Sequence, residues 1–516
     1  MTRPLVILVN PPMAKPRGVR LPLSLLALGA VLEGRYDYRI VDGNVDPHVD
    51  ETVLRLLSGI RHAWLGITVM PGPQVAPAIA IATTVRRVRP DVPIAWGGYF
   101  PTLYPDSAIN APYVDYVVRG QGEDTLLSLL EAHQDLAPAD AGQNDSTREA
   151  AATAITGLTW KRDGQIVHNP ARAFRSPDAY PVYPYGALEN VDTYFRPSFL
   201  GRRTAVHQAA VGCRFRCEFC GVVSMFGGKT HLQGPERLDH VLKLLTTRYR
   251  ADAVQYYDHN FFDREVTSIP ILEVLARHRL PWWCYARADT LAGFSTATWD
   301  LLRASQLRMA YIGAEAASDD VLRAMRKGSR VEHTLAVAER CRVFGIIPEF
   351  SFVVGGPEDP EGEVERTFRF IKRLKRIHPA CEVILYFYSP TPQLSGEQRQ
   401  LDASGARIPI LERYGPGGPL LPTTPEGWTD PNWIRYVCHQ DAPWLTPALR
   451  ERVRDFGRVL SCRFPTVQDW STPRWGKWIL RHLASWRYAT DRYDRPRELE
   501  FARRLIPLRE PQRESI

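Results

Sequence analysis

A chain of 516 residues exceeds what one ordinary hydrophobic core organises, so two or three domains are expected. A 24% share of charged and a 44% share of hydrophobic residues describe a globular chain and exclude a disordered or fibrous one. No apolar run approaches the ~20 residues of a membrane span, and the opening run of about eight before Pro11-Pro12 is too short for a signal-peptide core, so the expected location is the cytoplasm, where clustered cysteines hold metal more readily than they form disulfides.

Residues 1–132 alternate strand-like and helical stretches: LVILVN (5–10), PLSLLALGAVLE (22–33), YRIVDG (38–43), AWLGITVM (63–70), VAPAIAIATTVRRV (75–88), PIAWGG (93–98) and VDYVVRG (114–120), the last leading into EDTLLSLLEA. Strands spaced by helices of this length predict a parallel sheet covered on both faces, with a ligand at the carboxyl ends of its strands. Those ends carry Asn10-Pro11-Pro12, Asp42-Gly43-Asn44, Thr68-Val69-Met70-Pro71, Gly97-Gly98 and Gly120-Gln121-Gly122-Glu123. Glycines there admit close backbone approach, and each one alone is also an ordinary turn. No G-x-G-x-x-G follows the first strand, so a nicotinamide or flavin dinucleotide fingerprint is missing.

Residues 133–199 read as a linker. The stretch 133–156 is Ala-, Asp- and polar-rich with little periodicity, GLTWKRDGQIVHNP carries a hairpin signal at Asp163-Gly164, and AYPVYPYGAL crosses extended to the next domain.

Residues 211–223, VGCRFRCEFCGVV, place Cys213, Cys217 and Cys220 at C-x3-C-x2-C spacing. Thiolates suit zinc, copper(I) or iron-sulfur clusters. Zinc would close its tetrahedron with a fourth ligand, and His207 and His231 are near enough in sequence to supply one. The spacing is unlike paired zinc knuckles, and three cysteines on one loop suit three irons of a four-iron cluster, leaving the fourth open.

This triad, with Phe219 just before the last cysteine, resembles the hallmark of the radical S-adenosylmethionine (SAM) superfamily, and the N-terminal set N-P-P, G-G-x-x-P-T and V-R-G-x-G-E resembles the cobalamin-binding domain that precedes many of its members. The resemblance spans roughly residues 5–132 and 200–395. It implies a [4Fe-4S] cluster on the three cysteines and, as SAM contacts, Phe219, Asp258 in VQYYDHNFF, Arg287 in WWCYARADT, Glu315 in YIGAEAASDDVLRAMRKG, whose helix and K-G follow the family pattern, and Ser351 and Gly355 in PEFSFVVGGPEDPEG. For cobalamin it implies Asn10, Pro11, Thr68, Val69, Met70, Gly97, Gly98, Pro101, Thr102, Gly120 and Glu123. Two departures stand out: Ala316-Ala317 replaces Ser-Gly, and Pro392-Gln393-Leu394 replaces P-G-T. D-x-H-x-x-G is also missing, so His48 reads as a loop histidine, and the loop Thr68–Gln74 offers cobalt no strong lower ligand. Each site residue also has a plainer reading; Glu315 and Arg287 could form a structural ion pair.

The expected fold is therefore α/β: a doubly wound, Rossmann-like cobalamin domain (1–132), a linker with a short hairpin (133–199), a partial (β/α)6 radical SAM barrel (200–395), and a small, mainly helical, aromatic-rich basic domain (396–516). Seven of thirteen tryptophans lie from Trp428 onward, and residues 472–516 hold eleven Arg or Lys against six Asp or Glu. Such a tail can meet an anionic membrane surface or an acidic substrate, or can be a solvated face around an aromatic core; nucleic acid is not expected. Cys284, Cys341, Cys381, Cys438 and Cys462 are scattered and read as buried thiols, with Cys381 or Cys438 open as a methyl carrier over the cluster.

What the resemblance implies is a methyltransferase that uses SAM, methylcobalamin and a 5′-deoxyadenosyl radical on an unactivated carbon of a small-molecule, lipid or peptide substrate, with an electron donor of flavodoxin or ferredoxin type. Two alternatives stand beside it: a non-methylating cyclase like the anaerobic magnesium-protoporphyrin monoester cyclase, and a non-catalytic cobalamin- or lipid-surface-binding protein.

Overall fold

The computed structural model describes residues 4–13, 19–134, 145–389, 421–442 and 444–509. Its first sheet has seven strands in the order β2-β1-β3-β4-β5-β6-β7, built from β1 Leu5–Asn10, β2 Asp37–Asp42, β3 Ala63–Thr68, β4 Ile94–Gly97, β5 Tyr116–Val118, β6 Leu158–Arg162 and β7 Gln165–His168. The first five are parallel. Val6 to Val9 are fully buried because the central strand is covered on both faces, by helices that include α1 Leu23–Leu32, α2 Val49–Leu57 and α3 Val75–Val88.

The linker reading needs correction. β6 and β7 extend the sheet antiparallel from β5, and Asp145–Ala154 is a helix. Leu158 and Trp160 are buried in the core, so the hairpin belongs to the first domain. Residues 135–144 lie outside the described residues, as do the connector at 412–420 and Pro392-Gln393-Leu394.

The second sheet has six strands in the order β15-β14-β13-β12-β11-β8: β8 Thr204–His207, β11 Ala253–Tyr256, β12 Trp282–Arg287, β13 Leu307–Glu315, β14 Ile347–Val354 and β15 Glu382–Phe387. All neighbours are parallel, so every carboxyl end points the same way. The short pair β9 Ala210–Gly212 and β10 Thr230–Leu232 brackets the cysteine loop. β8 and β15 are the two edges, which gives the open partial barrel expected.

Beyond the barrel stand α4 Pro431–Val437, α5 Pro447–Arg463, α6 Arg474–Ala489 and α7 Arg497–Leu505. This region divides in two. Trp428, 2% exposed, is wedged against Phe100 and Tyr104 of the first domain, and its indole donates to Ser107 Oγ at 3.2 Å. α5, in contrast, packs on the barrel by stacking Phe456 on Phe368 at 3.7 Å between centroids. Gln468, just past α5, plugs the floor of the barrel, donating to Glu349 and Glu382 at 2.9 and 3.1 Å.

Candidate functional site

The cysteine loop is fixed at both ends before any ligand arrives. Gly212 at its entrance takes a positive φ of 78°, where a Cβ would run into the Lys229 carbonyl. Near its exit Glu218 N–H donates to the Met325 carbonyl at 3.0 Å. Cys217 is buried and its neighbours Cys213 and Cys220 are half-buried. Burial raises the Cys213 thiol and pushes Cys220 up to about 12, so bare thiolates are costly here and a cationic metal centre is what would stabilise them. Arg287 contributes in advance, donating from Nη1 to Cys217 Sγ at 3.4 Å while its guanidinium lies 3.5 Å from the Phe215 ring centroid.

Of the two histidines near enough to complete a zinc site, His207 is committed elsewhere, while His231 Nε2 is buried without a hydrogen-bond partner. Both ring nitrogens of buried His207 are engaged, Nδ1 with Tyr185 Oη at 3.3 Å and Nε2 with Gln233 Oε1 at 2.8 Å, and burial lowers its pKa to about 4. Among the described residues no three Cys, His, Asp or Glu side chains meet as a site for a single ion. Three cysteines on one loop, one of them already beside the Arg287 guanidinium, fit a cluster.

Around the carboxyl ends of β12 to β14 the structure gathers most of the expected SAM residues. Arg287 is clamped by Asp289 through two bonds of 3.0 Å and also donates to the Lys327 carbonyl. Glu315 ends β13 with φ of 62°, in the left-handed region that a non-glycine residue seldom enters. Its Oε1 accepts from Lys327 Nζ at 2.6 Å and its Oε2 from Ser351 Oγ at 3.3 Å. The Glu315–Arg287 ion pair considered from the sequence does not form; Lys327, the lysine of the K-G that closes the motif and to which the motif reading assigned no role, is the partner. Phe219 packs beside Met325, Val353 and Tyr388, with Lys327 Nζ 5.9 Å from its ring. Gly355, at φ of 78°, accepts a 2.8 Å hydrogen bond from the Trp444 indole. Asp258 stands apart. It is 1% exposed behind the cysteine loop and accepts from Ala210 N–H at 2.5 Å, so it positions β9 instead of facing a ligand.

Below this rim, side chains on alternate positions of β12 and β13 turn into the barrel: Trp283, Tyr285 and Tyr311, joined by Tyr257 just beyond β11. Their ring centroids lie 4.6 to 6.4 Å apart. Tyr311 Oη and Tyr386 Oη are 3.3 Å apart, and Arg20 of the first domain reaches Tyr257 Oη at 3.0 Å.

The expected cobalamin residues also converge, on the carboxyl edge of the first sheet. Several of them are tied to one another. Asn10 Nδ2 donates to Asp42 Oδ1 at 2.9 Å, while Thr102 Oγ1 donates to the Gly98 carbonyl at 2.7 Å and accepts from Gly120 N–H at 3.0 Å. Asn10 and Thr102 thus shape the cradle. Gln74, missed in the sequence, is the hub: its amide donates to Asn10 Oδ1 at 2.8 Å and the Pro11 carbonyl at 2.7 Å, and its oxygen accepts from Met70 N–H at 2.7 Å. Nothing short of that spacing marks a glutamine in a loop as structural. Pro101 and Val69 are buried beneath the loops, and Thr68 Oγ1 is 3.5 Å from Ser24 Oγ. Burial raises Glu123, at the start of Glu123–Gln134, to about 7. An uncharged floor at Thr68–Gln74, glycine turns at its rim and no imidazole among those residues fit a broad corrin without a histidine below it. His48 is exposed at the start of α2, 3.8 Å from Glu51.

The two edges face each other. A Cβ on Gly221, the residue after Cys220, would collide with the Tyr99 hydroxyl, which follows Gly97-Gly98. Of the two cysteines open as methyl carriers, Cys381 precedes β15 at the opposite end of the barrel, and Cys438 packs on Gly72, where a Cβ would lie 2.9 Å from its sulfur.

Comparison with known proteins agrees with this division. A B12 binding domain model matches residues 10–130 and a Radical SAM superfamily model matches residues 208–371. An uncharacterized methyltransferase of Pyrococcus horikoshii is 24% identical over 357 residues, 68% of this chain and 73% of that protein. The anaerobic magnesium-protoporphyrin IX monomethyl ester cyclase of Synechocystis is 24% identical over 393 residues, 72% of each chain. The solved structure of the radical SAM methyltransferase TsrM from Kitasatospora setae, with cobalamin and a [4Fe-4S] cluster bound, superposes with a TM-score of 0.64 at 18% identity, covering 98% of this chain and 99% of that one.

Proposed function

We propose that this cobalamin-dependent radical SAM enzyme, whose chain joins a B12-binding domain to a radical SAM domain, is a methyltransferase that acts on an unactivated carbon. The observation that carries the reading is the contact of Tyr99 with Gly221, which sets the cradle of the first domain directly against the cysteine loop. Once bound, the cluster supplies the electron that cleaves SAM, and cobalamin supplies the methyl group.

The chain's own part is positioning and exclusion. Cys213, Cys217 and Cys220 would hold the cluster, Arg287 orients Cys217, and Glu315 with Lys327 and Ser351 forms a fixed polar rim for the amino-acid end of SAM. The ring belt of Tyr257, Trp283, Tyr285 and Tyr311 walls the substrate space and keeps water from a reactive radical. An electron donor of flavodoxin or ferredoxin type would complete the system. Relatives named as methyltransferases support methylation. The relatives named as cyclases support the second reading, oxidative ring closure.

The test is anaerobic reconstitution with iron, sulfide and cobalamin, followed by turnover of methyl-labelled SAM in host extract and mass spectrometry. Methylation predicts a metabolite that gains one labelled carbon. Loss of hydrogen without label would install the cyclase reading, and absence of SAM cleavage would remove both.

A further inference from the structure

The reaction centre lies at the carboxyl ends of the barrel strands, yet a large cavity of ≈ 600 Å³ opens near the opposite end, between the C-terminal domain and the barrel helix Pro360–Ile377. Its charged lining is Lys372, Lys375, Arg376, Arg463, Arg481 and one carboxylate, Glu382. That carboxylate is spoken for: it is buried and accepts from Thr466, Val467 and Gln468. Lys372 pairs with Asp491 at 2.5 Å and Lys375 donates to the Cys381 carbonyl. Among the described residues, Arg376, Arg463 and Arg481 have no carboxylate partner. Arg463 lies over the Phe464 ring at 4.8 Å from its centroid, which leaves its charge unneutralised, and three guanidinium groups without a carboxylate around one cavity suit a phosphate.

Arg481 belongs to α6, and the adjoining face of that helix is unlike an ordinary solvated surface. At 3.6 residues per turn, Trp475, Trp478, His482 and Trp486 fall on one stripe, opposite the buried Gly476, Leu480 and Ala484. The three tryptophans are 62%, 59% and 54% exposed, and Leu483 is exposed beside them. The antiparallel α7 adds exposed Phe501 and Leu505. Large indoles are rarely left in water, and a monomer that displays a row of them flanked by arginines carries the pattern of an interfacial helix.

We infer that the C-terminal domain docks on an anionic phospholipid surface, with the tryptophan stripe of α6 entering the headgroup layer and the arginine cavity taking a lipid phosphate. Charge selects this occupant. The chain is +8 overall, and Arg474, Arg481, Arg492 and Arg504 are exposed around the stripe, so a second copy of the same face would be repelled while an anionic bilayer is attracted. The exposed aspartates nearby, Asp491 and Asp494, are already paired with Lys372 and Arg452.

The experiment uses the full-length, cluster- and cobalamin-loaded protein and sedimentation with sucrose-filled vesicles. Vesicles of equal parts phosphatidylcholine and phosphatidylglycerol are expected to carry the protein down, pure phosphatidylcholine is not, and added salt weakens the binding. The exposed-site variant Trp475→Ser/Trp478→Ser/Trp486→Ser and the cavity variant Arg376→Glu/Arg463→Glu are each expected to bind at least tenfold more weakly, with SAM cleavage unchanged. The inference fails if wild type ignores the anionic vesicles, or if both variants bind them as wild type does. It fails equally if soluble glycerol phosphate binds the cavity while no vesicle does, or if the tryptophan variant dissolves a dimer in a protein that binds no lipid.

Discussion

Glu315 bears a conformational cost that its neighbours hold in place. A non-glycine residue in the left-handed region costs on the order of 1–3 kcal/mol, and the strand register shifts at this point between Gly313 and Glu315. What retains it is a buried ion pair with Lys327, whose two side chains are 7% and 6% exposed. Replacing Lys327 by Met strands a buried carboxylate, which should destabilise the apo protein by about 3–5 kcal/mol; the double change Lys327→Met/Glu315→Gln should recover most of that. Thermal melts of the three proteins check it. Asp258 gives a pH-dependent case. Burial raises its pKa from 3.8 to about 8, so protonation favours the fold: its stabilising effect is complete below pH 3.8 and is lost as pH rises through 8. Asp258→Asn keeps an oxygen for Ala210 N–H and removes the titration, so its melting temperature should gain progressively on wild type from about pH 4 to about pH 8 and run parallel above. The cysteine triad was legible because its spacing has few other meanings. The role of Lys327 was not, because the K-G that closes the motif twelve residues past the strand end declares no partner until the helix between them is folded.

At the scale of elements, the five parallel strands and their crossovers could be read from apolar runs bounded by Gly and Pro, since a sheet buried on both faces has no alternation to confuse it. The hairpin β6–β7 was recognised as a hairpin but assigned to a linker. Its turn is local information, whereas its pairing with Tyr116–Val118 lies across a polar insertion that hides the connection. The loops at the strand ends depend on one another in a way that spacing does not disclose. Gly98 sits at φ of 93°, and a Cβ there would lie 2.7 Å from Thr68 Oγ1 and 3.1 Å from Val69 N. Gly98→Ala should therefore displace the Thr68–Gln74 floor, lowering cobalamin retention after gel filtration, read from the corrin absorbance, while SAM cleavage by the reconstituted cluster persists. Gln74→Ala should do the same more mildly. It leaves the Asn10 and Pro11 oxygens and the Met70 N–H without their partner, a cost of about 1–3 kcal/mol for each buried group left unsatisfied.

At the scale of the molecule, the chain closes on itself through its last quarter. Aromatic richness after Trp428 marked a packing region in the sequence, but composition has no address, and the two halves of this region went to different domains. Trp428 contacts a domain more than three hundred residues away in sequence, through Ser107, with rings at 4.1 and 5.7 Å from Tyr104 and Phe100. Tyr113 Oη adds a 2.6 Å bond to Glu426. From that anchor the chain runs through α4 to Cys438 just past it, which packs on Gly72 of the first domain, and to His439, whose carbonyl accepts from Phe387 N–H at 3.0 Å on the open barrel edge. One short segment therefore touches both domains and ties the loops of the first sheet to the open edge of the barrel. Removing its anchor with Trp428→Ala should cost about 3–5 kcal/mol where the side chain is buried. The loss should appear as faster amide exchange through Pro431–Val437 and as weaker cobalamin retention, with the barrel strands and the cluster spectrum unchanged. Uniform loss of protection across the barrel would instead mean that the segment is part of the barrel's own core.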